Sequence, residues 1–167
     1  PDGLTIGALG GGLANSEALG EFPPGTLSFR QAEIIAVLGE TDVFIGRKAQ
    51  FPQGHKSLLS PSKRPFVIAN LKRDDSYARD AAIMTLLGLK KGREADYIQV
   101  YGYPGGNDVY LAMGRGEADM YETRVAGYRQ TPLREVQAGN WVALFQGGSY
   151  ADSGEFVKDP GVQEMPT

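Results

Sequence analysis

The sequence predicts an α/β protein with a single open sheet that is mixed but largely parallel and is flanked by helices. Short apolar runs alternate with helix-like segments from residue 1 to about residue 148. The short runs are rich in valine and isoleucine, which favour strands. Glycine and proline separate most of the runs and mark the joints between elements.

The elements predicted in the first half of the chain begin with a buried strand, "LTIGAL", at positions 4–9. A glycine loop follows, then a short helix in "ANSEALGE" and two strands in "EIIAVLGE" and "DVFIGRK". The stretch "QFPQGHKSLLSPSKRP" predicts a surface connection with one helical turn near 57–59. A strand in "PFVIANL" precedes a long helix from about Ser76 to Leu87, which Gly88 ends.

The second half of the chain continues the alternation. Strands are predicted in "DYIQVYGY", "ADMYET" and "WVALFQ", with helices in "GNDVYLAMGRGE" and "RVAGYRQTPLREVQAG". The first of these helices is expected to end at Gly114 or Gly116. Its inward-facing side chains are expected to be Val109, Leu111, Ala112 and Met113. Residues 149–167 lose the periodicity and predict an extended return segment after a domain that spans residues 1–148.

Composition excludes several classes of function. The 17 basic and 20 acidic residues give a net charge of −3 without a basic stripe, which argues against a nucleic-acid partner. No apolar run approaches the roughly 20 residues of a membrane span. Cysteine is absent, and His55 is the single histidine, interpreted as a solvated loop residue. The sequence therefore predicts no metal site, no cofactor and no Ser-His-Asp triad.

Three strand-to-helix joints, "ALGGGLANS", "ANLKRDDSY" and "YGYPGGND", are candidates for anion binding. Backbone N–H groups at a helix start attract anions, and ligands of open α/β sheets bind beyond the carboxyl ends of the strands. Tight turns without a ligand are the alternative for each joint. The glycines do not fit GxGxxG, and no GxxxxGK[ST] is present. Tyr101, Tyr103, Tyr110 and Tyr121 are candidates either for a pocket or for the core.

Taken together, these segments resemble the solute receptors of the tripartite tricarboxylate transporter family. "PDGLTIGALGGGLANSEAL" is similar to their "PDGYTL" strand and small-residue loop, and "GYPGGNDVYLAMGRGEADM" is similar to their tyrosine–glycine turn, helix and "GGQVD"-type strand. "LREVQAGNWVALFQ" resembles their "IKAGKLRAL" segment. The resemblance implies one lobe of the type II periplasmic-binding-protein fold, namely the inserted lobe of a bilobed receptor that closes over a small organic carboxylate.

The resemblance also assigns site residues. Gly10, Gly11, Gly12, Leu13 and Ala14 match the first anion loop. The second loop runs from Asn70 to Ser76, where four charged residues, 72–75, depart from the small residues usual in the family. The tyrosine–glycine turn supplies Tyr103, Gly105, Gly106 and Asn107. Thr123 stands where many relatives carry an aspartate, and the adjacent Arg124 suits an acid ligand without an amino group.

The function implied is capture of a small organic acid outside the cytoplasm for delivery to membrane transporter subunits, without catalysis and without direct membrane insertion. The location would be periplasmic or otherwise extracytoplasmic, with the signal peptide and the second lobe outside this sequence. Two other readings stay open. One is a cytoplasmic ligand-sensing domain with a receptor-like fold, and the other is an enzyme acting on a phosphorylated small molecule.

The glycine loop gives a first testable prediction. In the complete receptor, Gly11→Asp should lower affinity for the acid at least tenfold, or about 1.4 kcal/mol, because a negative side chain would stand against the ligand. Ligand titration measures that loss, and thermal unfolding of the same variant shows whether the fold survives. A less stable variant whose folded fraction binds normally would mean that the glycines serve only a tight turn.

Overall fold

The computed structural model describes residues 41–60, 64–73, 75–91, 95–151, 153–159 and 165–167, together with single positions 17, 20, 23, 25, 28, 33, 35 and 162. The strand predicted at 4–9 and the glycine loop after it lie outside the described residues. Glu17 is helical, as predicted, whereas Glu33 and Ile35 lie outside any strand although a strand was predicted there.

Five strands form one sheet, and each coincides with a predicted strand. They are β1 (Asp42–Arg47), β2 (Phe66–Asn70), β3 (Tyr97–Tyr101), β4 (Met120–Arg124) and β5 (Trp141–Gln146). Their order is β3-β2-β4-β1-β5. β2 pairs in parallel with β3 and β4, whereas β1 is antiparallel to β4 and β5. Four strands therefore run in one direction, and the predicted mixed, largely parallel sheet is confirmed.

The helical segments follow the prediction with one change. A 3-10 helix spans Gly54–Leu59, α1 spans Asp75–Leu86 and α2 spans Gly106–Arg115. Gly116 ends α2 with a φ of 83°, a left-handed conformation that glycine adopts without strain, while Gly114 lies inside the helix. The single helix predicted in "RVAGYRQTPLREVQAG" is instead two, α3 (Val125–Tyr128) and α4 (Thr131–Gln137). Pro132 in the first turn of α4 accounts for the division, because proline lacks an N–H and favours a helix start.

Both faces of the sheet are buried, because successive residues of a strand point to opposite sides. On β1, Val43 and Ile45 face the helices α2, α3 and α4, whereas Phe44 faces α1 and the 3-10 helix. Gly46 continues this second face, where a Cβ would overlap the ring of Phe51. Helices thus flank the sheet on both sides, as predicted. The expectation for Leu111 is wrong: its side chain is 59% exposed because it lies on the outer face of α2.

The segment after β5 packs back onto the sheet. Ser149–Tyr150 (β6) and Phe156–Val157 (β7) form a two-stranded ladder. The buried side chain of Gln146 then donates from Nε2 to the Val162 carbonyl at 2.7 Å and to the Met165 carbonyl at 3.2 Å. The side chains of Val162 and Met165 are buried in the core beneath α2. The domain boundary predicted after residue 148 stays a prediction, and the described residues beyond it contribute to the same core.

The carboxylate of Asp119 connects several segments at the end of the sheet where β2 and β4 begin. Its Oδ2 accepts hydrogen bonds from Arg64 Nη1 at 2.7 Å and from the Val67 N–H at 3.0 Å. Its Oδ1 accepts from Arg64 Nη2 at 2.8 Å and from Arg47 Nη1 at 3.2 Å. Asp119 is fully buried, and both of its oxygens are satisfied.

Replacement of this carboxylate should destabilise the fold. Asp119→Ala should lower the free energy of unfolding by about 2 kcal/mol or more, because it leaves the Val67 N–H without its acceptor and removes the buried carboxylate that binds two guanidinium groups. Arg64→Ala is the matched control and should lower it by less than about 1 kcal/mol, because the Arg64 side chain is half exposed. Urea unfolding measures both. Equal losses in the two variants would contradict the central role of Asp119.

Candidate functional site

The carboxyl ends of β2, β3 and β4 lie together at one edge of the sheet. These strands end at Asn70, Tyr101 and Arg124, and the antiparallel β1 begins there with Asp42, which pairs with Arg124. We call this edge, defined by those four residues, the carboxyl edge. The chain leaves β2 toward one face through α1 and leaves β3 toward the other face through α2. Such a reversal creates the crevice in which open α/β sheets bind ligands.

Two of the predicted anion loops touch at this edge. The N–H of Gly102, after β3, donates to the Leu71 carbonyl, after β2, at 3.1 Å. Gly102 has a φ of 106°, a conformation that side chains other than glycine rarely adopt. Gly105 then leads into α2, whose ten residues begin at Gly106. The first N–H groups of an α-helix have no acceptor within the helix, so those of Gly106 and Asn107 are oriented for an external acceptor.

Three hydroxyl-bearing side chains lie close to this helix start. Tyr110 Oη lies 3.2 Å from Thr123 Oγ1, and the rings of Tyr110 and Tyr121 pack edge-on with their centroids 5.8 Å apart. A Cβ on Gly106 would lie 3.6 Å from Tyr121 Oη, an ordinary van der Waals distance, so the start of α2 lies next to this hydroxyl. We call Tyr110, Tyr121 and Thr123 the hydroxyl cluster. Together with the α2 N-terminus, it concentrates hydrogen-bond donors at the carboxyl edge.

The tyrosines of this cluster stay protonated well above neutral pH. Burial raises the pKa of Tyr121 to about 12, and the neighbouring Tyr110 adds to that effect. Burial also raises the pKa of Tyr110, although the hydrogen bond with Thr123 opposes the shift. A neutral phenol can donate a hydrogen bond to an anion, whereas a phenolate cannot.

A second group of polar side chains lies beneath the same edge. Arg79 on α1 pairs with Asp42 Oδ2 at 3.2 Å and with Glu122 Oε1. The fully buried Asp80 accepts a hydrogen bond at Oδ2 from Asn70 Nδ2 at 2.7 Å. We call Asp42, Asp80 and Glu122 the acidic cluster. Together with Arg79 and Asn70, this cluster joins β1, β2 and β4 to α1.

Burial dominates the protonation of the acidic cluster. It raises the pKa of Asp42 to about 6, with the negative charge of Glu122 adding to the effect and Arg79 opposing it. Burial likewise raises the pKa of Asp80 and of Glu122, against the opposing hydrogen bonds from Asn70 to Asp80 and from Arg79 to Glu122. These carboxyl groups therefore hold protons at higher pH than exposed ones.

Comparison with solved structures identifies the architecture. MatC from Rhodopseudomonas palustris, solved with bound malate, superposes with a TM-score of 0.54 at 19% identity over 77% of this chain. The periplasmic binding protein BugD gives 0.54 at 14% identity over 77%, and a periplasmic transporter gives 0.50 at 13% over 71%. The fold is that of one lobe of a periplasmic binding protein. This lobe covers only 39%, 38% and 38% of those three chains.

The fold implied by the sequence resemblance is thus confirmed. No protein-family model matches the sequence. No curated protein matches it either.

The lobe brings some predicted site residues together and separates others. Gly106 lies next to Tyr121 of the hydroxyl cluster, and Thr123 belongs to that cluster. Arg124 is exposed at the end of β4, and Tyr103 is half-buried against the core. Ser76 lies in the first turn of α1, without a described contact to the hydroxyl cluster. The loop residues outside the described part of the lobe are Gly10, Gly11, Gly12, Leu13 and Ala14.

Asn70 was predicted to bind the ligand, but its side chain contacts another residue of the lobe. Its side chain is buried, and its amide nitrogen is used by Asp80 rather than directed to a ligand. The question left open for the tyrosines is also resolved in part, since Tyr110 and Tyr121 belong to the core whereas Tyr101 is 52% exposed. The ligand-binding roles of the predicted residues stay predictions.

The described part of the lobe contains neither a group of side chains suited to a metal ion nor a candidate membrane-spanning helix. No group of three or more His, Cys, Asp or Glu side chains there is arranged to hold a metal ion. None of the helices described is both long and apolar enough to cross a membrane. His55 is exposed, as predicted, but it lies in the 3-10 helix rather than in a loop, and it lines an apolar groove of about 180 Å³ with Leu58, Ile83 and Phe145.

Close packing around Thr123 gives a prediction about stability. A Cβ at Gly127 would lie 2.5 Å from Thr123 Oγ1, so Gly127→Ala should lower the free energy of unfolding by about 1–3 kcal/mol. In a Thr123→Ala background the loss should shrink by more than about 0.5 kcal/mol, because the overlapping oxygen is gone. Thermal unfolding of the four proteins in this double-mutant cycle measures the coupling.

Gly114→Ala is the control for helix propensity. Nothing lies within 4 Å of a Cβ at Gly114, so this change should stabilise the lobe by about 0.5–1 kcal/mol. Additive effects of Gly127→Ala and Thr123→Ala would show that the side chain of Thr123 is not confined by the backbone of α3.

Proposed function

We propose that this chain is a ligand-binding lobe of a bilobed extracytoplasmic solute receptor and that its carboxyl edge binds a carboxylate group of a small organic acid. The observation that supports this most directly is the start of α2, where Gly106 lies against the neutral hydroxyl of Tyr121. The malate bound to MatC, a protein of similar fold, supports the same ligand class.

Each component of the site has a role in this proposal. The N–H groups of Gly106 and Asn107 would donate to one carboxylate oxygen, assisted by the helix dipole. The Thr123 hydroxyl would donate to the ligand while it accepts from Tyr110, since a hydroxyl group can do both. Arg124, exposed at the end of β4, would attract the anion or pair with a second carboxylate.

The complete receptor would need a second lobe. The chain covers less than two fifths of the matched structures, so the second wall of the binding cleft would come from other segments. Closure of two lobes excludes water and adds contacts, and one lobe alone lacks both contributions. We therefore propose weak binding by the lobe and tight binding by the receptor, which would deliver its ligand to membrane transporter subunits.

Titration with L-malate tests the proposal on the lobe itself. Backbone NMR shifts should change at Gly106, Asn107 and Thr123 with a millimolar dissociation constant, a binding free energy of about −4 kcal/mol at best. Succinate should produce the same pattern, whereas succinamide should not, because it lacks charge. Thr123→Val should weaken the malate response several-fold by removing a donor.

Thr85→Val is the matched control for this variant. Thr85 lies on the exposed side of α1, where its hydroxyl bonds only to the Ala81 carbonyl of its own helix, so malate binding should be unchanged. Shifts confined to other parts of the lobe, equal responses to malate and succinamide, or no response to any acid would overturn the proposal.

A further inference from the structure

Two buried carboxyl groups of the acidic cluster each have one oxygen without a hydrogen-bond donor. Asp80 Oδ2 accepts from Asn70, and Glu122 Oε1 accepts from Arg79. The remaining oxygens, Asp80 Oδ1 and Glu122 Oε2, are buried and have no donor. The Asp80 side chain is fully buried, and that of Glu122 is 7% exposed, so bulk water does not supply the missing donors.

The two carboxyl groups lie close enough for the charge of Asp80 to raise the pKa of Glu122. Two ionised carboxylates cannot satisfy each other's remaining oxygens, because an ionised carboxyl group only accepts hydrogen bonds. We propose that Asp80 and Glu122 share one proton at neutral pH and that this proton makes the junction between α1 and β4 sensitive to pH. Loss of the proton would leave two negative groups in contact inside the lobe, and they would push the helix and the strand apart.

The surrounding charges support a resident proton. Arg79 is the only cation that pairs directly with the acidic cluster among the described residues, and it already bonds both Asp42 and Glu122. Arg124 on β4 acts on Asp42 from the exposed edge. With all three acids ionised, the cluster and Arg79 would carry a net charge of −2, which is costly away from water.

Neutral groups complete the environment of the pair. Asn70 on β2 donates a hydrogen bond to Asp80. Tyr121 on β4 and Tyr97 on β3 lie close enough for the charge of Asp80 to raise the pKa of each tyrosine. None of these three groups adds positive charge. Burial raises the pKa of all three acids in the cluster, in the direction that a shared proton requires.

A proton fits the pair better than a metal ion does. One proton between the two carboxyl groups would give their remaining oxygens the donor that they lack. The part of the chain that the structure describes also contains no set of three or more acidic, histidine or cysteine side chains suited to a metal. The proton would be present whether or not the lobe binds an organic acid.

The direction of the pH effect follows from the raised pKa values. The stabilisation is complete below the pKa of an unfolded carboxyl group, about 4, and it is lost as pH rises through the folded-state values. The unfolding equilibrium constant should therefore increase by up to about tenfold per pH unit for each proton that only the folded state retains. The lobe should become less stable as pH rises from 4 toward neutrality and beyond.

Asp80→Asn tests the proposal with a side chain of the same shape. The amide of the new side chain can donate to Glu122 Oε2 while its oxygen accepts from Asn70, so the variant needs no proton. Its free energy of unfolding at pH 8 should equal or exceed that of the original lobe. The slope of that free energy against pH should correspond to one proton fewer than in the original lobe. Asp42→Asn is the control and should remove only the titration of Asp42 near pH 6.

Infrared spectroscopy provides a measurement that does not depend on a variant folding. The folded lobe at pH 7 should show the C=O stretch of a protonated, buried carboxyl group, and this band should be absent from Asp80→Asn and from Glu122→Gln. Absence of the band from the original lobe at pH 7 would overturn the proposal. So would an unchanged pH dependence in Asp80→Asn, or stabilisation of the lobe at pH 8 by Na⁺ or Ca²⁺ but not by a larger organic cation at equal ionic strength.

Discussion

The parallel pairing of β2 with both β3 and β4 determines where every other feature of the lobe lies. It requires the chain to cross one face through α1 and the other through α2, so both helices begin at the same edge. The hydroxyl cluster and the acidic cluster are consequences of that arrangement. Thr123 and Glu122 are neighbours on β4, so one side chain belongs to each cluster and the two faces of the sheet are chemically distinct at this point.

The buried carboxyl groups at the two ends of β4 differ in how their negative charge is compensated. At the beginning of the strand, Asp119 has guanidinium and backbone donors for both oxygens, and its charge is fully compensated. Near its end, Glu122 shares Arg79 with Asp42 and faces Asp80, so acids outnumber cations. The first arrangement fixes the sheet, whereas the second leaves a buried group free to change its charge under the candidate site.

The strands and most helix boundaries could be predicted because the signals are local, such as the short apolar runs and Gly116. The expectation for Leu111 failed because helical phase is set by the sheet on which α2 packs. A partial signal for the acidic cluster exists: Asp80 lies one helical turn before the buried Met84, and Glu122 lies on the same face of β4 as Met120. That these two acids meet depends on the position of α1 across β4, which no local pattern encodes.

The side chain of Gln146 has a consequence for biosynthesis. Its amide bonds to the carbonyls of Val162 and Met165, and the side chains of these two residues belong to the same core as Val43 of β1. This core therefore contains segments that lie far apart in the sequence. A nascent chain could pair its strands earlier, but it could not exclude water from that part of the core until residue 165 had emerged from the ribosome. A ribosome paused before residue 165 has emerged would therefore carry a sheet with part of its core open to water, which favours aggregation.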